Sequence, residues 1–236
     1  MREHNQQQMS PPAATARFAR IQPANIGQTT PFNTRGSVNI FLHFIGCAIL
    51  KCMGWRVEGT PPTTPKYVVI VAPHTSNWDF PIALFISWYY RMKGAWFGKH
   101  EIFTWPLLGW FFRLHGGIPV DRRCSHGFVE QAVRVFQERE QLVLALAPEG
   151  TRAKCACWKS GFYHIALKAG VPIALGYLDF QRKCGGFGPL YYPTGDPETD
   201  LANIRAFFDT VTPRHPAQRS EVVFRNRPRH KEIGAA

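Results

Sequence analysis

At 236 residues the chain has room for one α/β domain, alone or with an appendage. Its 45% hydrophobic content, with 18 Phe and 7 Trp, supplies a sizeable core, and only 19% of residues are charged. The formal net charge of +12 calls for anionic partners, but the basic residues lie largely in the tails with no nucleic-acid motif beside them, which sets a nucleic-acid-binding role aside.

Residues 1–35 are rich in Gln, Pro, Thr and Ala and read as a disordered leader with no signal-peptide core. Residues 36–50, GSVNIFLHFIGCAIL, carry no formal charge but fall short of the roughly 20 apolar residues of a spanning helix. Arg35, Lys51 and Arg56 bracket them, so a membrane-associating segment over 36–56 is expected, its helix lying in or dipping into the interface; a buried core helix and, behind it, a full span are the alternatives. A Pro/Thr loop at 59–65 follows, and the main domain is expected over 57–212.

Within that domain apolar runs of two lengths alternate. Strands are expected at 68–72, 116–120, 142–147 and 171–180, with helices at 80–90, 125–140, 160–169 and 198–211. That alternation predicts an α/β fold, a central mixed, largely parallel sheet flanked by helices. The aromatic stretch between Trp96 and Leu114 suits core packing, an acyl pocket or a lipid surface. After Cys184-Gly-Gly the chain reads as loop-rich, and residues 213–236 read as a solvated basic tail. The six cysteines form no disulfide framework, and Cys155-x-Cys157 lacks a second pair at zinc spacing, so neither disulfides nor a metal site is expected.

Polar residues gather where strands end. His74 and Asp79 follow the first strand. On a regular helix they would point about 140° apart, but His74 on a loop and Asp79 in the first helical turn can meet. Asp79 then holds one imidazole nitrogen and leaves the other as a base near neutral pH. The same residues admit a plainer reading, in which Ser76-x-x-Asp79 caps a helix and His74 is a solvated loop residue. Asp121-Arg122 ends another strand, and Glu149-Gly150-Thr151-Arg152 a third. Arginine forks and a glycine main chain together suit a phosphate or carboxylate cradle; Glu149 beside Arg152 also reads as a surface ion pair, which contributes little.

Four blocks now stand in order: H-x4-D at 74–79, G-I-P-V-D-R at 117–122, P-E-G-T-R at 148–152 and V-P-I at 171–173. This order resembles the glycerolipid acyltransferases, the PlsC-like lysophosphatidate acyltransferase family, over roughly half of the chain. Trp158-Lys159-Ser160-Gly161 is similar to the family's aromatic-Lys-x-Gly segment. The resemblance implies acyl transfer from acyl-CoA or acyl carrier protein to a hydroxyl of a lysophospholipid such as lysophosphatidate, with no cofactor beyond that thioester and no acyl-enzyme. His74 would be the base and Asp79 its orienting carboxylate; Lys99 and Arg122 would hold the acceptor phosphate. Glu149, Gly150, Thr151 and Arg152 would position the acceptor, and Val171, Pro172 and Ile173 would line the acyl side. The resemblance also implies work on the cytoplasmic face of a membrane. Pro73, Ala147 and Ala153 depart from the family's usual residues, which leaves a different acceptor such as a lyso-ornithine lipid open, as well as a non-catalytic lipid-binding protein of the same fold.

Overall fold

The computed structural model describes residues 40–92, 94–120 and 125–224. Along the chain run α1 (Ile40–Cys52), β1 (Arg56–Glu58), β2 (Lys66–Val71), α2 (Asp79–Tyr89), β3 (Ala95–Lys99), α3 (Pro106–Leu114), β4 (Gly117–Val120) and α4 (Ser125–Glu138). There follow β5 (Leu142–Leu146), α5 (Gly161–Ala169), β6 (Ile173–Asp179), β7 (Cys184–Tyr191) and α6 (Pro197–Phe208).

The strands form one sheet in the order β1-β7-β6-β2-β5-β3-β4. From β6 to β4 neighbouring strands are parallel; β7 is antiparallel to β6 and parallel to the edge strand β1. β2 is central because Tyr67-Val-Val-Ile-Val is apolar on both sides, as a doubly covered strand must be. Val68, Ile70 and Ala72 face one side, with Phe136, Phe162, Ile165 and Ile204 of α4, α5 and α6; Tyr67 and Val69 face the other. On that other side Leu50, Ile82 and Ile86 of α1 and α2 close over Leu178.

Two expectations change. The glycine-rich segment after Cys184 is a strand, not a loop. A Cβ on Gly185 would stand 2.7 Å from Leu178 Cδ2 and 3.0 Å from Ile86 Cδ1, so the small residues make room for neighbouring side chains on a strand paired along both edges. The chain also does not leave the fold at residue 213. Ser220 and Val222 are buried, Phe224 pairs with Trp158, and the main chain of Val223 accepts from Trp158 N at 2.8 Å. The short apolar sequence Val222-Val223-Phe224 is masked by basic and polar neighbours. The leader at 1–35 and the tail from residue 225 lie outside the described residues.

α1 uses one face for the fold. Gly46 and Leu50 are buried against α2, where a Cβ on Gly46 would meet the Phe85 carbonyl oxygen at 2.9 Å. Its opposite face leaves Ile40, Phe41 and Phe44 exposed, and α3 leaves Leu107, Leu108, Trp110 and Leu114 exposed. Among the described residues no helix is long and apolar enough to cross a membrane.

Candidate active site

Parallel strands deliver their carboxyl ends to one edge of the sheet, and the loops that follow β2 and β5 therefore meet. After β2 the chain passes through Ala72 and a cis Pro73 to His74. His74 Nδ1–H donates to Asp79 Oδ2 at 2.9 Å. The same oxygen accepts from the amides of Thr75 and Ser76, each at 2.9 Å. Asp79 opens α2, so its carboxylate also stands at the positive end of that helix.

The plainer capping reading holds only in half: Asp79 Oδ2 accepts from Ser76 N, the back-bond of a capping box, but the same oxygen also takes His74 Nδ1. Ser76 Oγ accepts from Trp78 N at 3.2 Å, no side chain caps the helix at Trp78, and Asp79 turns back to its own loop. Asp79 is only 3% exposed at its side chain and His74 23%. The bond from Nδ1 assigns the proton to that nitrogen and leaves Nε2 with its lone pair free to accept. Three donors on one oxygen hold the carboxylate rigidly, and the imidazole with it.

The loop after β5 supplies the other wall. Glu149 Oε2 accepts from His74 N at 2.9 Å, so the second loop is bonded to the residue that would act as base. Glu149 is buried and forms no surface pair with Arg152, which is exposed. Burial pushes the Glu149 carboxyl up to about 7, against the pull of the His74 amide and imidazole; the Asp79 charge adds to the rise. Gly150 adopts φ +68°, a left-handed conformation that a side chain disfavours, and a Cβ there would stand 2.7 Å from Lys159 Nζ. Glycine at this position thus lets the Lys159 side chain lie across the loop. Thr151 Oγ1 accepts from Ala153 N at 3.2 Å, which turns the chain at Arg152.

Lys99 closes β3 at the same sheet edge, in register with Val120 of β4. Arg122 lies outside the described residues. Val171, Pro172 and Ile173 are not brought to the site. Pro172 O accepts from Val68 N at 3.0 Å and Ile173 pairs with Val68, at the amino ends of the strands. Six residues of rise separate Val68 from His74, roughly 20 Å. Val171 and Ile173 are buried in the core, where they pack with Val68 and Leu175.

A third segment, absent from the sequence reading, also reaches the site. His215 N donates to Thr75 Oγ1 at 3.2 Å, and the Gln218 amide nitrogen, in the orientation its surroundings satisfy, faces the Thr75 and Arg152 carbonyls at 3.0 Å each. The sequence separation of 140 residues between His215 and Thr75 leaves no local signal for such a contact.

The fold is thus a largely parallel α/β sheet that presents a carboxylate-held imidazole at its strand ends. A model of the family described as Acyltransferase matches residues 55–174, and the chain belongs to that family. It is 31% identical over 142 residues to a 1-acyl-sn-glycerol-3-phosphate acyltransferase of Limnanthes alba, covering 57% of this chain and 49% of the relative. It is 29% identical over 145 residues to the enzyme of that name from Escherichia coli K12, covering 58% and 57%. The chain thus spans about half the length of the curated relatives it matches. The fold is similar to the crystal structure of the 1-acyl-sn-glycerophosphate acyltransferase PlsC from Thermotoga maritima, with a TM-score of 0.53 and 18% identity over 73% of this chain and 76% of that one.

Proposed function

We propose that this protein is an O-acyltransferase that moves a fatty acyl group from acyl-CoA or acyl carrier protein to a hydroxyl of a lysophospholipid such as lysophosphatidate. The observation that carries the reading is the 2.9 Å bond from His74 Nδ1 to Asp79 Oδ2 at the carboxyl ends of the strands. His74 Nε2 takes the hydroxyl proton as the acceptor oxygen attacks the thioester carbonyl. The tetrahedral intermediate collapses with cleavage of the C–S bond, and the proton passes from the imidazolium to the departing thiolate. Asp79 stabilises the imidazolium between these steps.

The cationic groups suit the anionic ends of both substrates. Lys99 at the end of β3 and Arg122 beyond β4 are assigned to the acceptor phosphate; Gly150, Thr151 and Arg152 shape the wall facing it. Val171, Pro172 and Ile173, given their place in the core, support the sheet from its far end. The exposed apolar faces of α1 and α3, with Lys51 and Arg56 beside the first, support work at an anionic membrane surface, where the lipid acceptor resides. Thioester donors place that surface on the cytoplasmic side.

The test is incubation of the purified protein with labelled acyl-CoA or acyl carrier protein and a panel of lysolipids. Thioester consumption with a diacyl product supports the reading, and the preferred lysolipid names the acceptor, lysophosphatidate or lyso-ornithine lipid. Binding of lipid without thioester consumption points instead to a non-catalytic lipid-binding protein.

A further inference from the structure

The segment that returns across the site after α6 contacts both of its loops. The Thr75–Ser76 peptide has two ends: its N–H, on Ser76, donates to Asp79 Oδ2 at 2.9 Å, and its carbonyl, on Thr75, accepts from the Gln218 amide at 3.0 Å. The second hydrogen of the same amide meets the Arg152 carbonyl at 3.0 Å, and the N–H of that peptide, on Ala153, donates to Thr151 Oγ1. One –NH2 group therefore bridges the main chains of the His74 loop and the Glu149–Arg152 loop.

We propose that Gln218 is a positioning residue for acyl transfer, acting through the Thr75–Ser76 peptide on Asp79 and hence on His74. A donor at the Thr75 carbonyl fixes the plane of that peptide and polarises it, which strengthens the Ser76 N–H bond to Asp79. Without it the peptide is free to rock, and the carboxylate that orients the imidazole loses one well-aimed donor. Displacements of this size in a supporting group are felt in the rate, because the base must stay within hydrogen-bond reach of the acceptor hydroxyl. The bond to Arg152 ties the acceptor wall to the same point.

Gln218 is exposed and stands at the end of a single 3-10 turn, Pro216–Gln218. The segment is fastened independently of it. Cys155 N donates to Ser220 Oγ at 3.0 Å, Trp158 N donates to Val223 O at 2.8 Å, and the Arg219 guanidinium bonds the Phe208 and Val211 carbonyls at 2.6 and 3.0 Å. Substitution at 218 thus leaves the fold in place.

The proposal rests on His74 being the base, and the test separates the two. Gln218→Met keeps the length of the side chain without donors, and Gln218→Glu replaces them with a carboxylate that cannot donate. Kinetics and amide hydrogen exchange are measured on the full-length protein. Both variants are expected to lower kcat about five- to tenfold, the worth of a neutral hydrogen bond, with Gln218→Glu at least as impaired. The KM for the acyl donor and the Tm should stay close to wild type, whereas a merely structural loss would lower Tm and the active fraction together. Exchange at the Ser76 amide should accelerate by a similar factor. Unchanged kcat in an active protein overturns the proposal, and so does unchanged Ser76 exchange. If the wild-type protein transfers no acyl group to any lysolipid, the acyltransferase reading fails, and exchange at Ser76 alone decides whether Gln218 holds the loop.

Discussion

His74 and Asp79 face each other across the first turn of α2, Nδ1 to Oδ2 at 2.9 Å, with the Thr75 and Ser76 amides converging on the same oxygen. The arrangement separates the roles of the pair. His74 contributes a free Nε2 and little packing, so His74→Ala should lower kcat by about 10²–10⁴-fold while leaving Tm near wild type. Asp79→Asn keeps an accepting oxygen for the two amides but not the negative charge, and a fall in rate of similar size is expected with the fold retained. Steady-state acyl transfer and thermal unfolding check both; a variant of either residue that kept more than about half of the activity would remove the pair from catalysis.

Glu149 links the site to pH. Burial raises its carboxyl from the ordinary 4.5 to about 7, so over that interval the folded protein holds a proton that the unfolded chain has released. Its stabilising contribution is complete below about pH 4.5 and is lost as pH rises through about 7. Glu149→Gln retains a carbonyl to accept from His74 N and removes the titration. The Tm of the variant relative to wild type should therefore rise between pH 5 and pH 8, values set by that window. A difference that stays flat across the window shows that the carboxyl does not titrate there.

Arg122 comes two residues after Val120, which ends β4 in register with Lys99 of β3. Arg122→Ala should raise the apparent KM for a phosphate-bearing acceptor more than for the acyl donor, since a charge-assisted bond of about 1.5–3 kcal/mol is lost. Equal changes for the two substrates, measured by varying each in turn, remove Arg122 from the acceptor site.

The membrane attachment proposed for this protein would divide into an apolar and an ionic part. Phe41 and Phe44 on α1, and Trp105 and Trp110 at α3, are each more than 60% exposed. The protein should sediment with anionic liposomes, and high salt should weaken that binding without abolishing it, since screening to about 3 Å at 1 M leaves apolar burial untouched. Serine at Phe41 and Phe44 should release much of the salt-resistant fraction. Full retention by that variant, with release only on Trp105→Ser and Trp110→Ser, would place the main contact on α3 instead.

What the sequence determined was local. The β-branched run of β2, the His74 and Asp79 spacing across a strand-to-helix turn, the amphipathic α4 and the glycine that ends α5 with φ +65° are all set by residues near one another, and the helix and strand periods make them readable. The four ordered blocks identified the family for the same reason. What the tertiary structure decided was adjacency. Sheet order brings the β5 loop beside the β2 loop and carries Val171–Ile173 to the other end of the strands, a placement fixed by which strands pair and in which direction. The strand β7 was hidden because its glycines serve close packing rather than β propensity. Gln218 was hidden because a glutamine in a polar, basic stretch looks solvated until the two carbonyls it meets, donated by loops distant in sequence, are brought to it by the fold.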